Sequence, residues 1–412
     1  MADQFSQLSA LEQSVTLHST ILDKLTMQQR LLQQAHEALV QDHNSLVEDH
    51  QVLCDCVQIT GVITQAQLED ARRSRRVATM LCEVLQGPEL ASTIGTAAGL
   101  RAVRELTAVS SKHGEGTRRI LPQLYELLLP EVYICGGSAD GREVAMAERL
   151  RLATSSWETL LPMSTARRWC GAATAGGMPY VFGGHNGEQY LGVAERLNLA
   201  TGLWESLPPM PTPREGCVVE SVRGILHVFG GSHGERALAV AERFHPDTFF
   251  WEALPSMPQA RDACAATSAM GEIFLAGGRD AGAFLATADR FNAGSRQWNT
   301  LPPMLTARLG CAAAASGCMI YVIGGHGHGQ ALATIEGFDT RIGLWQEVTP
   351  MPTPRLGCIA IAAAGRIYVF CGHDGNQALR AAECFDPQTG SWKQLPAVPT
   401  PRYACAGVTV FS

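Results

Sequence analysis

Tryptophan stands at 157, 204, 251, 298, 345 and 392, always 47 residues apart. The same step carries a glycine pair at Gly136-Gly137, Gly183-Gly184, Gly230-Gly231, Gly277-Gly278 and Gly324-Gly325, degenerate as Cys371-Gly372 in the last unit. It carries an acid (Glu148, Glu195, Glu242, Asp289, Glu336, Glu383) and an arginine (Arg167, Arg214, Arg261, Arg308, Arg355, Arg402). Three residues past each arginine stands a cysteine: Cys170, Cys217, Cys264, Cys311, Cys358 and Cys405. Six units of 47 fill residues 131–412 without insertion or deletion. Such a chain folds as copies of one supersecondary unit, each burying its apolar face against its neighbours.

The first unit reads "VYICGG", "MAERL", "SSWETL" and "RRWCGAATA", runs of strand length separated by polar, Gly-rich or Pro-rich connections. The glycine pair is not a phosphate cradle. After Gly183-Gly184 comes "HNGEQYLGVAERLNL", which is short and ends in a strand-like run, whereas a phosphate loop opens a helix whose amides face the anion. A period near 50 with a glycine pair and one tryptophan per unit resembles the kelch repeat, one four-stranded blade of a β-propeller. The resemblance covers about two-thirds of the chain and implies an all-β, six-bladed propeller over residues 131–412. The Gly-His and Trp-Asp signatures of the WD-type propeller are missing from the required places. The first unit opens on "EVYICGG", the counterpart of the second strand "MIYVIGG", and the last closes on "RYACAGVTVF", the counterpart of first strands such as "RLGCAAAAS". The C-terminal strand is therefore expected to complete blade one and hide the sheet edges.

Residues 1–58 predict a coiled-coil helix, with Leu11, Leu25, Leu32, Leu39, Leu46 and Leu53 at d, interrupted by His18. The a positions are Leu8, Val15, Leu22, Gln29, His36, His43 and His50. Because four of these seven are polar, a single long helix lying on another part of the protein is the alternative. A coiled coil implies a homo-oligomer. Residues 59–130 read as a helical linker region punctuated by glycine and proline, and the basic run Arg72 to Arg76 reads as a solvated helix face rather than a nuclear-import signal. Neither a BTB domain nor an F-box is recognisable, the modules that often tie kelch propellers to ubiquitin ligases.

With 46% hydrophobic residues, a net charge of −7, no apolar run of 18 or more and no signal-peptide core at the N-terminus, the expectation is a cytoplasmic protein without membrane or nucleic-acid partners. Of the thirteen cysteines, the six in repeat register are expected to pack as small apolar residues. Cys135, Cys318, Cys371 and Cys384 follow no metal-ligand spacing. The repeated arginines and acids are expected to pair within the fold, and the tryptophans to be core, because a functional site rarely has sixfold redundancy.

Function is expected in the loops, which vary while the strands stay in register. The resemblance implies binding of a protein partner through the loops after the glycine pairs and those before the innermost strands. The candidate partner-binding residues are Arg168, Trp169, His185, Asn186, Glu215, Asp262 and Tyr403, with Arg168 and Trp169 as an interface anchor. The expected function is a non-enzymatic interaction scaffold or adaptor, including a substrate-recognition subunit of a ubiquitin ligase. An actin or cytoskeletal cross-linker is the alternative. A third reading is a galactose-oxidase-like metal oxidase, whose class holds copper on a kelch-type propeller with tyrosine and histidine. Four tyrosines (Tyr133, Tyr180, Tyr321, Tyr368) share one repeat position and read as structural. His185, His326 and His373, joined by His233 and His328, follow the glycines as turn residues. No catalytic residue, metal or cofactor is expected.

Overall fold

The computed structural model describes residues 129–410, and the regular structure in that span is all β-strand. The coiled coil expected over residues 1–58, the helical region 59–130 apart from its last two residues, and the oligomer they imply lie outside the described residues. Six four-stranded antiparallel sheets form six blades. In blade two the strands run, from the centre outward, Gly171–Ala175, Met178–Phe182, Ala194–Asn198 and Leu203–Leu207. The innermost strands of the six blades stand side by side in a closed cycle around a central channel.

The burial of each strand follows from its place in the blade. "GAATA" alternates between buried and half-buried residues, one face packing into the blade and the other lining the channel, where six converging strands leave room only for small side chains. "MPYVF" is buried at four consecutive positions because adjoining blades cover both its faces. The turn between these two strands is Gly176-Gly177, and its counterparts Arg223-Gly224 and Met270-Gly271 also keep φ positive at both positions, the hairpin geometry that matches strand twist.

The ring closes as the sequence ends predict. Ala406–Val410 is the innermost strand of blade one, antiparallel to Glu131–Cys135, with Glu131 opposite Val410 and Cys135 opposite Ala406. The repeated arginines are fully buried, and each pairs with its acid: Arg214 with Glu242 at 2.6 Å, Arg261 with Asp289 at 2.6 Å, Arg308 with Glu336 at 2.5 Å and Arg355 with Glu383 at 2.8 Å. Arg167 pairs likewise with Glu195, and Arg402 with Glu148 across the closure. Arg214 also donates to the carbonyls of Gly230 and Val240 at 3.1 and 3.2 Å, so one guanidinium holds both loops at that end of its blade. Burying such an ion is tolerable because the acid and the carbonyls take the terminal N–H groups, while the Nε of Arg261, Arg308 and Arg402 stays without a partner.

The tryptophans differ from the core reading. They are half-buried on the outermost strands, packing against the core from outside. Each indole N–H donates to a carbonyl on the loop leaving the preceding blade, as from Trp298 to Pro255 at 2.9 Å and from Trp345 to Pro302 at 2.7 Å. They are fasteners between blades, and a side chain with a polar tip stays at the edge of the core to place it. The six register cysteines are buried free thiols, and the four tyrosines of the shared position are buried on second strands.

Candidate functional site

Antiparallel order puts two sets of loops at one end of the ring. The chain runs along the innermost strand, turns, and comes back along the second. The loop after the second strand therefore emerges beside the loop that enters the innermost strand. The residue after each repeated arginine forms a bridge with the residue after the glycine pair: Arg168 with His185, Glu215 with Ser232, Asp262 with Arg279, Leu309 with His326, Leu356 with His373 and, across the closure, Tyr403 with Ser138. Arg168, His185, Glu215, Asp262 and Tyr403 consequently share one face.

One residue further along, the six loops join in a ring around the channel mouth. The backbone N–H of Trp169 donates to Ala404, that of Ala404 to Gly357, and so on through Gly310, Ala263 and Gly216 back to Trp169, with N···O distances of 2.7 to 3.0 Å. All six residues have φ between 49° and 64°, which suits the three glycines and holds Trp169 in a conformation rare for a side chain of its size. Its indole reaches across the mouth. A Cβ placed on Gly310 would lie 3.2 Å from Trp169 Cη2, and one on Gly357 3.5 Å from it, so the far blades leave space where the ring lies. Trp169 is half-buried over a chamber of about 160 Å³ at this end of the channel.

Charge is concentrated on blades one to four. Arg168 Nη1 is 2.9 Å from Glu143, and Arg279 Nη2 is 2.7 Å from Asp262. Glu215 stands between these pairs with its Oε2 buried and without a hydrogen-bond partner. Burial pushes its carboxyl above the ordinary range, against the pull of His185 and Arg168. Asp262 is also raised by burial, opposed by its bond to Arg279. An acid held this way has an acceptor to offer an incoming donor.

Two further candidates have partners inside their own loop. Asn186 Oδ1 accepts the backbone N–H of Glu188 and Gln189 at 3.0 and 2.8 Å, and His185 Nδ1 accepts that of Gly187 at 2.9 Å. The Tyr403 ring lies 5.1 Å from His373. The candidate set read from the sequence left out Tyr190, His233, Glu143 and Arg279. Tyr190 lies 5.0 Å from both His185 and His233, bridging blades two and three, and its hydroxyl donates to Gly234 at 3.2 Å. Its departure from the tyrosine register was the available signal. Among the described residues no three His, Cys, Asp or Glu side chains are grouped to hold a metal, and no helix is long and apolar enough to cross a membrane.

The KLHDC2/KLHL20/DRC7 Kelch-repeats domain matches residues 127–308, and the Kelch motif matches 307–352 and 354–399. The chain belongs to the kelch-repeat family. Propellers of this family are generally non-enzymatic modules that commonly mediate protein–protein interaction. A solved structure titled "Structure of YjhT" is similar in fold to this kelch propeller, with a TM-score of 0.53 and 15% identity over 60% of this chain and 89% of that one. Comparison with curated proteins found no match.

Proposed function

We propose that the kelch propeller is a protein-recognition module that takes a partner segment on the loop face around Trp169. The observation that carries this reading is the buried, unpartnered Oε2 of Glu215 on the same loop face as the half-buried Trp169 indole at the channel mouth. An aromatic anchor at the centre of a polar ring is the composition of an interface hot spot, and an unfilled acceptor on the same face selects a partner that brings a donor. Arg168 and Asp262, already paired with Glu143 and Arg279, orient the rim, and His185 with Tyr190 and Tyr403 with His373 extend it in two directions.

The test is quantitative capture from extract with the full chain, comparing wild type with an Arg168→Ala/Glu215→Gln double variant. Arg223→Glu and Met270→Asn, exposed in turns at the opposite end, serve as controls. Partners lost in the double variant at an unchanged melting temperature and kept in the controls support the loop face. The reverse pattern moves recognition to the opposite end. The identity of the captured protein decides between a ubiquitin-ligase adaptor and a cytoskeletal cross-linker.

A further inference from the structure

Blade six departs from the repeat at one point that the loop face does not use. Where five blades have the first glycine of the pair, it has Cys371, which keeps the left-handed backbone at φ 60°. At the equivalent Gly277 a Cβ would lie 2.6 Å from the Arg308 carbonyl oxygen and 3.3 Å from Cys311 Sγ. Cys371 bears such a Cβ, and Cys405 is the repeat counterpart of Cys311. A non-glycine residue is thus held in a strained conformation, its side chain in the same buried cluster as Cys405.

The two thiols lie in one buried apolar cluster, and the Cys371 thiol together with burial holds the Cys405 thiol well above its ordinary value. Both residues are buried, at 0% and 9% exposure. They belong to opposite sides of the ring closure. Cys371 follows the second strand of blade six, Arg366–Phe370, and Cys405 leads into the closing strand Ala406–Val410 of blade one. Cys405 also lines the chamber of about 160 Å³ beneath Trp169, large enough for a molecule the size of hydrogen peroxide.

We infer that Cys371 and Cys405 form a disulfide when hydrogen peroxide reaches the channel, a covalent clasp that ties the closing strand to blade six. In the first step the Cys405 thiolate attacks one peroxide oxygen and the O–O bond breaks. Hydroxide leaves and takes a proton to become water, and Cys405 is left as the sulfenic acid. The Cys371 thiol then attacks the sulfenyl sulfur and the S–S bond forms as a second water leaves. The two thiols lose two electrons and two protons, and one peroxide becomes two waters. The raised Cys405 thiol keeps the thiolate fraction small at neutral pH, so the clasp closes slowly and under sustained oxidant.

The test treats the purified full chain with hydrogen peroxide, blocks the remaining thiols by alkylation and maps non-reduced peptides by mass spectrometry. The Cys371 and Cys405 peptides are expected joined and lighter by two hydrogen atoms, the melting temperature raised by a few degrees, and both changes reversed by dithiothreitol. Cys371→Gly restores the residue that five blades use and is expected to fold normally. In that variant the linkage and the thermal shift are absent, and Cys405 accumulates as a sulfenic acid trapped by dimedone. The inference is overturned if Cys371 and Cys405 are recovered unlinked once peroxide has consumed the less buried Cys318. It is equally overturned if Cys405 is joined instead to Cys135, the other buried thiol at the closure.

Discussion

Arg402 is ion-paired with Glu148, 254 residues earlier in the chain, and both side chains are buried. The pair does for blade one what a local pair does in the other blades, and the same guanidinium donates to the Gly136 carbonyl at 3.1 Å. The C-terminal strand is therefore held by a buried charge as well as by its ladder.

Arg402→Met leaves Glu148 buried and unpaired, and is expected to cost about 3–5 kcal/mol. Glu148→Gln keeps a hydrogen-bonding partner and is expected to cost less. Removing residues 403–412 takes away the closing strand and should abolish cooperative unfolding. Denaturant titrations of the three variants check the order, and a deletion that unfolds as sharply as wild type would refute closure by this strand.

Trp298 lies 4.8 Å from Phe291 and 5.4 Å from Phe229, with its N–H on the Pro255 carbonyl. Because it is half-buried, Trp298→Ala is expected to cost about 2–4 kcal/mol, toward the low side of large aromatic truncations. Trp298→Phe keeps the ring packing and loses the hydrogen bond, about 1 kcal/mol. Equal losses for the two would mean that the bond between blades, and not the packing, holds this position.

Trp169→Gly places in blade two the residue that three other loops use at this point of the ring, relieving the backbone at φ 51°. Stability is expected to change little, since relief of the strained backbone offsets the packing that the indole supplies over the channel mouth. Affinity for a captured partner should fall by about 2 kcal/mol or more. Calorimetry on wild type and variant separates the two effects, and unchanged affinity would remove the indole from the interface.

Blade three carries two ionisable residues directly opposite each other, Glu220 and His227. Burial pushes the Glu220 carboxyl from 4.5 up to about 7, against its hydrogen bond with Ser268, and pushes the His227 imidazole from 6.5 down to about 4 with Arg243 and His245 adding to the shift. The signs are opposite. A carboxyl raised on folding binds more protons in the native state, so its contribution is full below 4.5 and is lost as pH rises through about 7. A depressed imidazole contributes fully above 6.5 and loses that contribution as pH falls toward about 4. Relative to wild type, Glu220→Gln should gain stability as pH rises from 4.5 to 6.5. His227→Tyr, which restores the tyrosine of four other blades, should gain as pH falls over the same window. Denaturation midpoints across that window check both slopes, and parallel curves for the two variants would overturn the assignment.

Periodicity alone determined the number of blades, the strand that closes the ring and that the repeated arginines and acids pair; which acid each arginine meets, Glu242 for Arg214, came from the structure. Each repeated feature recurs every 47 residues because it solves the same local problem of burying one blade against the next. The outer position of Trp298 was not legible, since a repeated tryptophan looks the same in the core as at its edge. Residues that break the repeat were visible as exceptions, but the neighbours they meet were not. The curvature of the closed ring sets Trp169 over Gly310 and Gly357 of distant blades, brings Tyr190 to His233 and places Cys371 in one buried cluster with Cys405. It also leaves Glu215 Oε2 without a partner while Asn186 bonds its own loop. A one-dimensional period specifies what each blade must share, and only the assembled tertiary structure decides which unshared side chains meet across the axis.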